Sequence, residues 1–102
     1  LNEQQLNAND ASEARFYVGE SYQNMGEYRK AIEAYYKVSY HGAGGFSQWI
    51  TSADFQRAKC HESMGEYATA IAVYERIVQR EGGSTPQGEM AQEQIGLLRR
   101  HL

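Results

Sequence analysis

Proline is nearly absent from this sequence: Pro86 stands alone in 102 residues. Proline breaks helix interiors, so its scarcity leaves long helices open along almost the whole chain. Cysteine is as rare. Cys60 has no partner for an internal disulfide, which leaves the redox compartment open. No apolar run approaches the roughly 18 residues that span a bilayer, so no direct membrane insertion is expected. A basic surplus is missing too, since the net charge is −3 with both signs mixed along the chain. Phosphate binding needs a basic face, and no nucleic acid partner is expected. The one basic pair, Arg99-Arg100, falls where a helix C-terminus should lie, and the helix dipole favours cations there. The length suits a single domain. A chain that begins at Leu1 and not at Met is expected to be a piece of a longer protein.

Several chemistry-bearing patterns are missing as well. Cys60 and His61 are neighbours, but adjacent helical residues point about 100° apart and share a proton badly. Cys60 is read instead as a small buried hydrophobe. His41, His61 and His101 have no metal-ligand spacing, so no metal is expected. Gly42-Ala43-Gly44-Gly45 lacks the following Lys-Ser/Thr of a phosphate loop and reads as a linker. The carboxylates look scattered over outer faces, which leaves general acid–base chemistry without a candidate. No catalytic residue, no enzyme activity and no cofactor are expected.

What is present is a repeat. Met25-Gly26-Glu27-Tyr28 recurs as Met64-Gly65-Glu66-Tyr67, an offset of 39. At the same offset Ala14 pairs with Ala53, Phe16 with Phe55, Ala31-Ile32 with Ala70-Ile71, and Tyr35 with Tyr74. Nine identities in one register exceed chance. Each unit reads as two helices joined by a tight turn. Ala14, Val18, Tyr22 and Met25 fall on one face of the first helix; Tyr28, Ala31, Ile32, Tyr35 and Val38 do so on the second. These are the i, i+3, i+4, i+7 spacings of amphipathic helices. In the second unit the stripes are Ala53, Ala58, Met64, then Tyr67, Ala70, Ile71, Tyr74, Ile77. Gly26 and Gly65 stand between the helices, where a left-handed residue suits glycine. The stripes absorb Tyr22, Tyr28, Tyr35, Tyr67 and Tyr74 and leave Tyr17, Tyr36 and Tyr40 for the surface.

Helix ends are marked. Asp10-Ala11-Ser12-Glu13 reads as an N-cap, Ser47 as a cap for the third helix, and Gly82-Gly83 as the close of the fourth. Thr85-Pro86 gives a cap with proline at the first helical position. A fifth helix carries Met90, Ala91, Ile95, Leu98 and Leu102 on one side. Its Ala91, Ile95 and Gly96 echo the spacing of Ala14, Val18 and Gly19, so it closes the stack as a terminal cap.

These residues resemble the tetratricopeptide repeat. The family pattern of a small residue, a Leu-Gly pair, an aromatic, Gly-x-Tyr, Ala and an aromatic is met by Ala14, Val18-Gly19, Tyr22, Gly26-Glu27-Tyr28, Ala31 and Tyr35. The second unit gives Ala53, Ala58, Gly65-Glu66-Tyr67, Ala70 and Tyr74 and departs at Arg57 and His61. These two polar residues should find a local partner such as Glu20 or Glu62, or lie at an exposed edge. The family period is about 34 residues; the longer period here places the extra residues between Tyr40 and Trp49. The layout of two units and a closing helix is similar to bacterial cell-envelope members, such as the C-terminal domain of the Tol–Pal-associated division coordinator and the outer-membrane assembly lipoproteins. A periplasmic or envelope-associated location is therefore favoured over a cytoplasmic one.

The resemblance implies an all-α, right-handed superhelical solenoid of helix-turn-helix repeats. Residues 1–9 would form an N-terminal tail or helix extension and residues 10–102 a single domain. Within it, repeat one spans about 11–40, a loop 41–47, repeat two about 48–82 and the capping helix about 86–101. It also implies a protein or peptide partner held on a concave face by the first helix of each pair. By position the groove residues are Glu13, Tyr17, Glu20, Gln23 and Asn24, with Ser52, Gln56, Lys59 and Glu62. Tyrosine and neutral amides suit hydrogen bonding to a peptide. Glu20 stands where chaperone-tail binders carry asparagine, so that specificity is not expected. So short a groove suggests micromolar affinity, about −8 kcal/mol. Phe46 and Trp49 offer a second candidate surface unless they tuck over the repeat junction. The alternative function is self-association into a homo-oligomer through the solenoid ends, where Leu1, Leu6 and Ala8 of the N-terminal stretch could dock.

Overall fold

The computed structural model describes residues 3–41 and 47–102, with side chains described at 10–38 and 48–102. Phe46, the glycine-rich segment 42–45, Leu1, and the side chains of Leu6, Ala8, Tyr40, His41 and Ser47 lie outside the described residues.

Five helices follow one another: α1 (Glu3–Asn24), α2 (Tyr28–His41), α3 (Ser47–Ser63), α4 (Tyr67–Glu81) and α5 (Pro86–Arg99). No strand occurs among the described residues. Each helix packs against the next, and α1 also meets α3. The result is an all-α helical-repeat solenoid, a slab of 46 × 34 × 16 Å.

The turns of the two units are superimposable in their chemistry. Gly26 has φ +77° and Gly65 φ +75°. In the first turn the Glu27 N–H donates to Tyr22 O and the Gly26 N–H to Gln23 O. In the second, the Glu66 N–H donates to His61 O and the Gly65 N–H to Glu62 O. This is the Schellman arrangement, which satisfies the last carbonyls of a helix and needs a left-handed residue at its apex. The α4–α5 connection is also as expected. Gly82 caps α4, and the Thr85 hydroxyl accepts the Gly88 N–H at 3.1 Å. Gly88 is required there, because a Cβ would sit 1.8 Å from Gly82 O.

The apolar core has two parts. Between unit one and α3, Ala31, Tyr35, Val38, Ala53 and Cys60 are buried, with Phe16, Tyr22, Tyr28, Ile32 and Trp49 packed around them. In unit two Ala58, Ala70, Ile71, Val73, Tyr74 and Ile77 join Ala91, Ile95 and Leu98 of α5. Cys60 is a buried hydrophobe, and burial pushes its thiol up to about 11.

Four expectations need correction. First, Asp10 and Ser12 do not cap a helix. α1 begins at Glu3, because neither proline nor glycine interrupts residues 3–18, and Ser12 is buried in its interior. Second, the inward row of α1 is Ser12, Phe16, Gly19 and Gln23; Ala14 is exposed, Val18 is 49% exposed and Met25 is more so. Their counterparts in unit two, Ala53 and Arg57, are buried because α2 packs over them. Third, Met90 and Leu102 are exposed, and Ala91, Ile95 and Leu98 carry the buried face of α5. Fourth, Arg57 and His61 do find local partners, but these are not Glu20 or Glu62, and both side chains are buried and not at an edge. Arg57 pairs with Asp54, which also binds Arg80, and His61 pairs with Glu66. Asp54 is thus a buried carboxylate, where the sequence pattern had placed all carboxylates outside.

Candidate functional site

The candidate groove residues lie on α1 and α3, which run side by side. The 39-residue register sets them in matching rows: Glu13 with Ser52, Tyr17 with Gln56, Glu20 with Lys59, Gln23 with Glu62. Tyr17, Asn24, Ser52 and Lys59 are exposed. Glu13, Glu20, Gln23, Gln56 and Glu62 are half-buried.

Two of these side chains are held from beneath, and a third is tied to one of them. The Tyr35 hydroxyl donates to Gln23 Oε1 at 2.6 Å, and the Tyr74 hydroxyl donates to Glu62 Oε2 at 2.5 Å. These are the same bond in successive units, each from a buried phenol of the second helix to a polar residue of the first. Burial raises both phenols well above their ordinary range, and at Tyr74 the bond to Glu62 adds to the effect. Both hydroxyls therefore stay protonated donors. Gln23 Nε2 in turn donates to Gln56 Oε1 at 3.2 Å and ties α1 to α3. A glutamine amide offers more than one donor and acceptor, so the tied pair still has capacity for a ligand.

Trp49 falls in the first turn of α3 and packs half-buried against α1, its ring centroid 5.6 Å from Phe16 and 6.3 Å from Tyr17. It thus borders the same face as Tyr17. Lys59 supplies the cation of the face, flanked in sequence by the buried Ala58 and Cys60.

Beneath the face, the junction between units is ionic. Arg57 lies between Asp54, at 3.3 Å, and the ring of Tyr36, at 5.5 Å from its centroid. Arg80 reaches the other Asp54 oxygen at 3.0 Å. Glu66 accepts from His61 Nδ1 at 2.8 Å and pairs with Arg29 of α2. The hydrogen bond from His61, and then that from Arg29, hold the Glu66 carboxyl below its usual range. Each of these charged groups has an ionic partner, although Arg57 Nε is buried without a hydrogen bond, and the arrangement suits a structural joint.

Two exposed residues were not anticipated for this face. The echo of Ala53 at Ala91 sets a register of 38, which places Met90 at the Ser52 position and Leu97 at the Lys59 position. Both are exposed on α5. The register is legible in the sequence, but the apolar spacing of α5 points Met90 to the packed side, where the structure leaves it exposed. His101, near the end of α5, stacks on Tyr67 at 4.6 Å, so packing as well as the helix dipole accounts for it. Among the described residues no group of His, Cys, Asp and Glu is arranged to hold a metal ion, and no helix is long and apolar enough to cross a membrane.

The tetratricopeptide repeat family profile matches residues 13–40 and 52–84, the two units read from the register. No curated protein and no solved structure is matched.

Proposed function

Because this chain belongs to the tetratricopeptide repeat family, whose repeats generally mediate protein–protein interaction, we propose that it is a non-enzymatic binding module that takes an extended peptide or partner segment along the α1–α3 face. The observation that carries this reading is the tethering of Gln23, Gln56 and Glu62 by Tyr35, by Tyr74 and by one another. Side chains already fixed lose little freedom when a ligand arrives. Tyr17, beside Trp49, supplies an exposed aromatic of the kind that anchors peptides. The register sets the exposed Met90 and Leu97 of α5 at the positions of Ser52 and Lys59, which would offer the partner apolar contacts beyond the α1–α3 row. The cell-envelope reading belongs to the same proposal and rests on the layout of two units and a closing helix.

Selection of peptides from a displayed library on the immobilised protein, followed by calorimetric titration, tests the reading. The expected affinity is micromolar, and Tyr17→Ala with Lys59→Glu should weaken it at least tenfold. Undiminished binding to that double variant would sink the α1–α3 assignment.

Self-association is the alternative, and one feature favours it. The C-terminal end keeps a groove of about 400 Å³ between α4 and α5, with Val78 and Ile95 among its lining residues. A molar mass that rises with concentration would favour this reading over the first.

A further inference from the structure

The N-terminal end of the solenoid has its own groove, of about 540 Å³, between α1 and α2. Val18, Tyr22 and Ala34 contribute its apolar lining, and Arg15, Lys30, Lys37 and Glu33 its charges. It lies apart from the α1–α3 row, since none of its lining residues belongs to the Glu13, Tyr17, Glu20 series.

The repeat itself shows what such a groove accepts. The α1 wall of Arg15, Val18 and Tyr22 corresponds to Asp54, Arg57 and His61 in unit two. There the three side chains are buried: α2 lies over Arg57, while Asp54 pairs with Arg80 of α4 and His61 with Glu66. α2 sets Tyr36 over Arg57 and sends Arg29 to Glu66. The seat is therefore shaped for a helix.

The chemistry of the two seats differs. Arg15 replaces Asp54, and Val18 replaces Arg57. The open groove thus carries three cations against one carboxylate, although the whole chain is net −3. Lys30 lies over the Tyr22 ring, 5.8 Å from its centroid, which keeps one ammonium at the apolar lining. The face that α2 turns to its own seat carries Tyr36 and Arg29, so a copy of α2 would add a cation to these cations. A helix with the opposite charge on its flanks would be attracted. We infer that this groove docks an amphipathic helix of a partner protein whose apolar strip is edged by carboxylates.

Two labelled 14-residue peptides test this. One has an alanine and leucine strip at i, i+3, i+4, i+7 flanked by glutamates; its twin carries lysine at each glutamate. Fluorescence anisotropy at low salt should give at least tenfold tighter binding of the acidic peptide, weakening as salt screens the contacts. Lys30→Glu with Lys37→Glu should reverse the preference, and circular dichroism checks that the variant is folded. Tyr17→Ala with Lys59→Glu should leave the preference intact, which separates this groove from the α1–α3 face. Equal binding of the twins, or binding of neither, overturns the inference. So does sedimentation that reveals a dimer abolished by Lys30→Glu with Lys37→Glu, since the occupant would then be a second copy of the chain.

Discussion

Gly19 in unit one faces the ring of Tyr35, and the same point in unit two is Ala58, in the cluster that contains Tyr74. The difference runs through both units. In unit one a Cβ on residue 19 would meet the Tyr35 ring at 2.5 Å, so α1 and α2 lie too close for even a methyl group. In unit two Ala58 is accommodated, and the cluster gains Ile71, Ile77, Ile95 and Leu98. The outer flanks differ as well. Val18 and Ala14 are exposed where Arg57 and Ala53 are covered by α2. One turn chemistry and one phenol tether are thus kept in both units, while the packing around them is set by what lies next along the solenoid.

The sharpest test of this contrast is at Asp54 and its counterpart Arg15. Asp54→Ala should cost about 3–5 kcal/mol, because it leaves the buried Arg57 without its ion pair. Arg15→Ala, at a half-buried position of the α1–α2 groove, should cost less, about 1 kcal/mol or below. Urea unfolding of both variants measures the difference; equal losses would mean that the unit-two junction is not the stronger joint.

Next in size is the exchange at the glycine–alanine position. Gly19→Ala should destabilise by about 1–3 kcal/mol through overpacking against Tyr35. The opposite change, Ala58→Gly, should cost about 1 kcal/mol from helix propensity, plus the lost methyl contacts. A stabilising Gly19→Ala would show that the units pack alike after all. On α5, Gly96 has nothing within 4 Å of a built Cβ, so Gly96→Ala should raise stability by up to about 1 kcal/mol.

The smallest effect is one of pH. Glu66 has a depressed folded-state value, so its pairing stabilises the fold above the ordinary carboxylate value of 4.5. That contribution is lost as pH falls through the lowered value. Stability curves measured between pH 6 and pH 2 should therefore lose part of their acid-side slope in Glu66→Gln. An unchanged slope would remove the pairing of Glu66 with His61 and Arg29 from the account.

Much of this was legible in the chain. Periodicity and two glycines located the paired helices, because local spacing reflects the turn and the buried stripe directly. Thr85-Pro86 located α5 for the same reason. The misreadings share a cause, which is that neighbours decide them. Ser12 looks like a cap until α1 is seen to run on through it. Val18 looks buried until nothing described is found over it, and Arg57 looks misplaced until Asp54 and Tyr36 are seen on either side. The polar rows of the candidate face followed from the register, but their tethering by Tyr35 and Tyr74 did not, since those bonds join residues on different helices.

Amide chemical-shift mapping of a library-selected peptide, titrated into the isotope-labelled protein, tests the central claim most directly. The expected result is a set of saturable shifts at Tyr17, Gln23, Gln56 and Lys59, with Val18 and Lys37 unmoved. Shifts confined to the α1–α2 groove or to the α4–α5 end, with the α1–α3 row silent, would contradict it.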